Sequence, residues 1–270
     1  MTAVAPEALP DRAADRLDVS FVRVCRSEWT KLRSVRSTWW LLLLAIASIV
    51  GIGMFGQLQS ARHADGDPYY RHPHPVDLAR NTEFGLSVAV LAVLMVGALV
   101  VTGEYGTGLI RSTMTVVPRR TTVLLAKAAV LLVVVGLATA GAAVLTLLGA
   151  GVVWSAYGRA GASFADPGVV GVVAGVPLYC AAAAVFALAV GALVRHSAAA
   201  LGVLAASFFV APAMLASWDG ASYLPANAGG AMAGVGFGDS LSGGAAMTLF
   251  AGYAAVLLGL ALARLRHADV

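Results

Sequence analysis

Charge is what this sequence has least of. Only 12% of its 270 residues are Asp, Glu, Lys or Arg, while 59% are hydrophobic. Soluble domains carry about 25% charged and 45–50% apolar residues, so the composition excludes a soluble fold and indicates an integral membrane protein. Cysteine is scarce as well. Cys25 lies in a basic stretch and Cys180 inside an apolar run, which argues against a disulfide framework or thiolate metal site and leaves two inert thiols. A phosphate-binding Gly-x-x-x-x-Gly-Lys-[Ser/Thr] loop is missing: the three glycines between Gly103 and Gly108 are followed by no lysine and preceded by no strand. The middles of the long apolar runs are read as holding no Asp, Glu, Lys, Arg or His. An ion-coupled carrier keeps an ionisable group or a broken polar helix at that depth, despite an insertion cost of about 2.5–3.5 kcal/mol. An intramembrane protease or acyltransferase needs a buried nucleophile and base, and none is present. Nucleic-acid binding is disfavoured, because the basic residues flank apolar runs and form no single soluble face.

What is there is a succession of apolar runs long enough to span a bilayer, for which about 20 residues cross ~30 Å. The fold class expected is an all-α integral membrane protein with six transmembrane helices, at about 38–57, 84–103, 121–154, 168–194, 197–217 and 245–263. Together they form one transmembrane domain over 38–263, preceded by a disordered tail (1–19) and an amphipathic helix (20–37) and followed by a tail (264–270). Trp39 and Trp40 suit the interfacial belt at the start of the first span. The third run exceeds what a bilayer needs and is expected to tilt or project, with Lys127 snorkelling to the interface. In the fourth, Pro177 is expected to kink the helix and Gly171-x-x-x-Gly175 to allow close helix contact. Residues 218–244 are rich in Gly and Ala, with only Asp219 and Asp239 as charges. That is too apolar for a loop and too broken for a span, and reads as a re-entrant or surface-lying pair of short helices.

With the N-terminus inside, all but four of the 18 Lys and Arg fall on the cytoplasmic side, the exceptions being Arg62, Arg71, Arg80 and Arg159. The positive-inside rule therefore gives an N-in, C-in topology. The loop after the first span, 57–83, contains His63, His72 and His74. Without an accompanying Cys or Met cluster these read as incidental histidines rather than metal ligands.

Two cytoplasmic stretches stand out. In the first, Phe21, Cys25, Trp29, Leu32, Val35 and Trp39 recur at helical spacing, with Arg23, Arg26, Lys31 and Arg33 opposite. Such a helix lies in the headgroup plane, with membrane lipid as its partner. Glu28 interrupts its apolar face, and a carboxylate there needs a partner: a local pair with Lys31 or solvent on the Leu32 side, or an arginine from another segment. The second is Glu104 to Arg120, bounded by apolar runs, with an acid at its start, Arg111, Arg119 and Arg120, and Pro118 near its exit. Ile110, Met114 and Val117 share a helical face, Gly106 and Gly108 permit a tight exit from the membrane, and Pro118 ends the element. Glu104 at the membrane edge has Arg111, Arg119 or a basic residue of the 20–37 helix as potential partners, with plain interfacial solvation as the alternative.

These two motifs, Ser27-Glu28-Trp29-Thr30-Lys31-Leu32-Arg33-Ser34-Val35-Arg36-Ser37-Thr38-Trp39 and Glu104-Tyr105-Gly106-Thr107-Gly108-Leu109-Ile110-Arg111-Ser112-Thr113 with Pro118-Arg119-Arg120, resemble those of the ABC-2 type of ABC transporter permease, in its short bacterial six-span form. The resemblance covers nearly the whole chain. It implies a non-enzymatic transport subunit of the bacterial plasma membrane, exporting a hydrophobic or amphipathic substrate such as a drug, antibiotic or lipid. It also implies a cytoplasmic ATPase partner that binds ATP and Mg, a second permease copy or paralogue, and no cofactor on this chain. By resemblance, 20–37 becomes the connecting helix, with Glu28, Trp29, Lys31, Arg33 and Arg36. The segment after the second span becomes the ATPase-coupling element, with Glu104, Tyr105, Gly106, Thr107, Arg111, Pro118, Arg119 and Arg120, and Arg195 marks a second contact. The substrate path would run between the second and fifth spans of two subunits, with Ser87, Met95, Ser207, Phe208, Phe209 and Met214 as candidate lining residues. The alternatives are a non-transporting membrane sensor or immunity protein, and a metal-related membrane factor using the three histidines.

Overall fold

The computed structural model describes residues 20–64, 74–80, 83–106, 120–234 and 241–267. Among these there is no strand, and six helical segments are long and apolar enough to cross a membrane. In chain order the helices are α1 (Phe21–Ser34), α2 (Arg36–His63), α3 (Pro75–Arg80), α4 (Glu83–Gly106), α5 (Arg120–Ala156), α6 (Val169–Val194) and α7 (Ser197–Ala205). A π-helical turn (Ala206–Val210) leads from α7 into α8 (Ala211–Met214), and a 3₁₀ turn (Ala221–Tyr223) precedes α9 (Pro225–Met232) and α10 (Gly243–His267).

The helix α6 is the axis of the bundle. It packs against α4, α5, α7, α9 and α10, and most of its length is buried. The sequence explains how so many neighbours fit: from Cys180 to Leu188 it reads Cys-Ala-Ala-Ala-Ala-Val-Phe-Ala-Leu. Inside a bilayer, helix association relies on van der Waals contact between small residues. Gly97 of α4 carries this furthest. A Cβ there would lie 2.3 Å from the Ala184 carbonyl oxygen, so only glycine lets the two backbones meet. The Gly171-x-x-x-Gly175 pair works only in half. Gly175 lies against the Met232 carbonyl of α9, whereas Gly171 faces open space.

The helices run past the expected span limits where a tertiary partner supports them. The first continues past 57 to His63, and Gln57 at the expected limit is buried, its Oε1 accepting a hydrogen bond from Trp154 Nε1 at 3.0 Å. The second includes Glu104 and Tyr105 in its last turn. The last includes Arg264, whose guanidinium donates to the Leu193 carbonyl at the end of α6. The fifth is interrupted. Pro212 lacks an N–H and would collide with a carbonyl four residues back, and the chain widens ahead of it into the π turn, where the Ala211 N–H reaches the Ala206 carbonyl. That turn drives Phe208 inward, edge-to-face against Phe186 at 5.4 Å and Phe250 at 6.2 Å. In the 218–244 segment, α9 buries Ala228, Gly229, Ala231 and Met232 against α6 and α10. Of the pair of short helices expected in 218–244, the described residues hold the 3₁₀ turn Ala221–Tyr223 and α9, and 235–240 lie outside them.

Candidate functional site

One end of the bundle gathers the start of α5, the ends of α4, α6 and α10, and the whole of α1. The sequence sets α1 there through a hydrogen bond from the Trp39 indole to the Arg33 carbonyl at 3.0 Å, and a T-shaped contact between Trp29 and Trp39 at 6.5 Å. The buried stripe of α1 is Val24, Glu28 and Leu32. This lies one residue round the helix from the expected Phe21–Cys25–Trp29 face, and Phe21, Val22 and Trp29 remain 46%, 73% and 37% exposed.

The reason for that rotation is a cluster of four charges. Lys127 of α5 bonds Glu28 Oε2 of α1, and reaches Glu104 Oε1 of α4 at 2.8 Å. Lys31 of α1 bonds Glu28 Oε1 at 2.7 Å and Glu104 Oε1 at 3.1 Å. Two carboxylates and two ammonium groups thus alternate, and formal charge balances. The side chains of Glu28 and Lys127 are each 3% exposed, Glu104 10% and Lys31 39%. Lys127 therefore does not snorkel; α1 lies over it, so its shortest route is to the two acids. Glu28 takes both of its expected kinds of partner, Lys31 locally and a cation from another segment, although that cation is a lysine. For Glu104 the partner from the 20–37 helix is Lys31. Burial opposes the charge on Lys31, but Glu28 and Glu104 outweigh it and hold its proton above the usual lysine range. Burial, assisted by the Glu28 charge, pushes the Cys25 thiol up, which suits the inert thiol expected there.

The last turn of α4 is held on its other side too. Arg195, between α6 and α7, has a left-handed backbone (φ 61°) that closes the helix through its N–H to the Gly191 carbonyl. Its guanidinium lies 5.5 Å from the centre of the Tyr105 ring, a cation–π contact. Next to it, Ser197 Oγ donates to Thr102 Oγ1 at 3.0 Å. Neighbouring residues of α4 thus face opposite ways: Glu104 toward α1 and α5, Tyr105 toward the α6–α7 turn. Glu104 Oε2 is buried and accepts no hydrogen bond among the described residues.

Of the other residues singled out in the sequence, Gly106 closes α4 and is exposed, and Arg33 and Arg36 are exposed around the α1–α2 junction. Thr107, Arg111, Pro118 and Arg119 lie outside the described residues, and Arg120 opens α5. Ser87, Phe209 and Met214 are exposed, and Met95 and Ser207 half-buried. Phe208 is the exception among the path candidates. At 5% exposure it packs into the chain's own core with Phe186 and Phe250, because consecutive residues of a helical turn cannot share one direction with Phe209. No group of three metal-ligating side chains occurs among the described residues; His63 Nδ1 is 2.8 Å from the Gln59 carbonyl of its own helix, and His72 lies outside them. Sequence reasoning missed the role of Lys127. The signal available was a lone cation inside a long apolar run, which by itself marks a functional position.

A family model described as an ABC-2 family transporter protein matches residues 24–212, more than half of the chain. The chain belongs to that family. It is a multi-pass protein of the plasma membrane and a transport subunit. The match begins at Val24 within α1, takes in both acids of the cluster and both lysines, and ends at Pro212, just past the π turn. No curated protein matches this sequence.

Proposed function

We propose that the chain is the permease of an exporter in which two membrane subunits, identical or paralogous, work with two copies of a cytoplasmic ATPase that binds ATP and Mg. The cargo is hydrophobic or amphipathic. The observation that carries this reading is the Glu28–Lys127–Glu104–Lys31 cluster. It ties α1 and the first turns of α5 to the last turn of α4, and the chain between those helices, 107–119, holds Arg111 and Arg119. A push on that segment reaches Glu104 first. Glu104 is bonded to two lysines on two other helices, so the push moves α4, α5 and α1 together instead of bending one helix end. The Arg195–Tyr105 contact carries the same displacement into the α6–α7 turn. Driving force supplied from outside the bilayer also agrees with the apolar span interiors.

Co-expression with a candidate ATPase from the adjacent reading frames tests the assignment. The two chains are expected to purify as one complex whose ATP hydrolysis responds to the membrane subunit. Glu104→Gln should break that response by about tenfold while leaving the complex assembled, the loss of roughly 1.4 kcal/mol expected when one charge-assisted bond weakens. Failure of any such complex to form would sink the reading, and unchanged coupling in Glu104→Gln would remove the cluster from the mechanism.

A further inference from the structure

A groove of about 750 Å³ runs along the outer side of α1, α2 and α5. Arg26 and Trp29 of α1 and Trp39 near the start of α2 line it with Leu43, Val134 and Ala138; α1 belongs at headgroup level, so its Arg26–Trp29 end is the mouth. On α5 it extends from Ala129 to Ala138, about 14 Å at 1.5 Å per residue. That is about half of the ~30 Å hydrocarbon core, the depth of one leaflet. The volume is that of a ligand site. Its walls are aliphatic and its mouth is cationic and aromatic, which is the polarity profile of one lipid running from headgroup to chain end.

The charges at the mouth select the headgroup. Arg26, Arg33 and Arg36 are exposed along α1 and its junction with α2. The one acid of α1, Glu28, points the opposite way and is bonded to Lys127 and Lys31. Nothing negative on α1 offsets the arginines, so the mouth attracts a net anionic headgroup over a zwitterionic one, whose phosphate is already offset by its own ammonium. We infer that this groove is a binding site for one anionic phospholipid of the cytoplasmic leaflet, with its phosphate on Arg26 and an acyl chain against α2 and α5. The occupant packs between α1 and α5, the helices that carry Glu28 and Lys127, and so braces the charge cluster from its membrane side. The inference does not depend on the ATPase reading.

The test uses the full chain in detergent, titrated with phosphatidylglycerol or phosphatidylcholine and read by native mass spectrometry. One phosphatidylglycerol should be retained in preference to phosphatidylcholine. Arg26→Gln should weaken phosphatidylglycerol about fivefold, and Ala138→Trp, which fills the groove, should abolish the retained lipid. A phosphatidylglycerol carrying a diazirine midway along its chain should label α5 between residues 129 and 138; this measurement on the unsubstituted chain decides the matter if Ala138→Trp does not fold. Free glycerophosphate should not compete, because the chain supplies the apolar contact. Equal retention of the two lipids, labelling spread over α6 and α10, or displacement by glycerophosphate would each overturn the site.

Discussion

Replacing Lys127 by methionine is expected to destabilise the folded chain by about 3–5 kcal/mol, the cost of breaking a buried ion pair from one side. Methionine fills a similar volume, so little of this comes from a cavity. What remains is the charge imbalance: Glu28 and Glu104, both largely buried, would share Lys31 alone. One of them must then take up a proton or drag α1 off the bundle. Because the cost lies in the uncompensated charge, a second substitution should relieve it. In Glu28→Leu/Lys127→Met the remaining Lys31 and Glu104 form an ordinary pair, and an apolar contact replaces the buried one, an exchange that is often neutral or stabilising. Chemical unfolding in detergent of the two single variants and the double variant checks this. A Lys127→Met loss under about 1 kcal/mol would mean the cluster behaves as a solvated surface pair, and additive single effects would mean that Glu28 and Lys127 do not interact.

The other end of the bundle depends on one side chain to a similar degree. Trp154 is fully buried in a small core whose other members are Ala61, Ala64, Ala79, Ala162, Leu147, Val169 and Val172. Four of those seven are alanines, which have no side-chain length with which to fill a void. Trp154→Ala should therefore fall at the upper end of the usual range for such truncations, about 5 kcal/mol. Trp154→Phe keeps most of the volume and loses the hydrogen bond to Gln57, and should cost about 1 kcal/mol. The ratio between the two is the informative quantity. Comparable losses would show that the Gln57 bond, and not the filled volume, holds α2 to α5 there.

The six spans were legible because length and apolarity fix them locally. What was not legible depends on contacts between distant segments. The helical period of 20–37 is real and its apolar stripe suits lipid, but the period does not say which residues meet the bundle. The inward residues are Val24, Glu28 and Leu32, since the Lys127 bond decides the rotation and lipid covers the rest. Lys127 sits about 10 Å along α5 from its start, within snorkelling distance, and nothing in its own neighbourhood reveals that α1 blocks the way. Glu28 was different: an acid on an apolar face announces the need for a partner without naming it. The extension of α2 beyond 57 to His63 likewise depends on a distant segment, since Trp154, 97 positions away, bonds Gln57. The π turn in the fifth span and the inward Phe208 emerge only once Phe186 and Phe250 are in place.

The four charges join α1 rigidly to the helix ends beside the 107–119 segment. The most direct test is a dipolar distance measurement between spin labels at Thr30→Cys on α1 and Ala198→Cys on α7, both exposed, in a Cys25→Ser background. One narrow distance distribution is expected with the cluster intact, and a broad one, about twofold wider or more, once Lys127→Met removes the shared cation. The same narrow distribution in both proteins would contradict this role of the cluster.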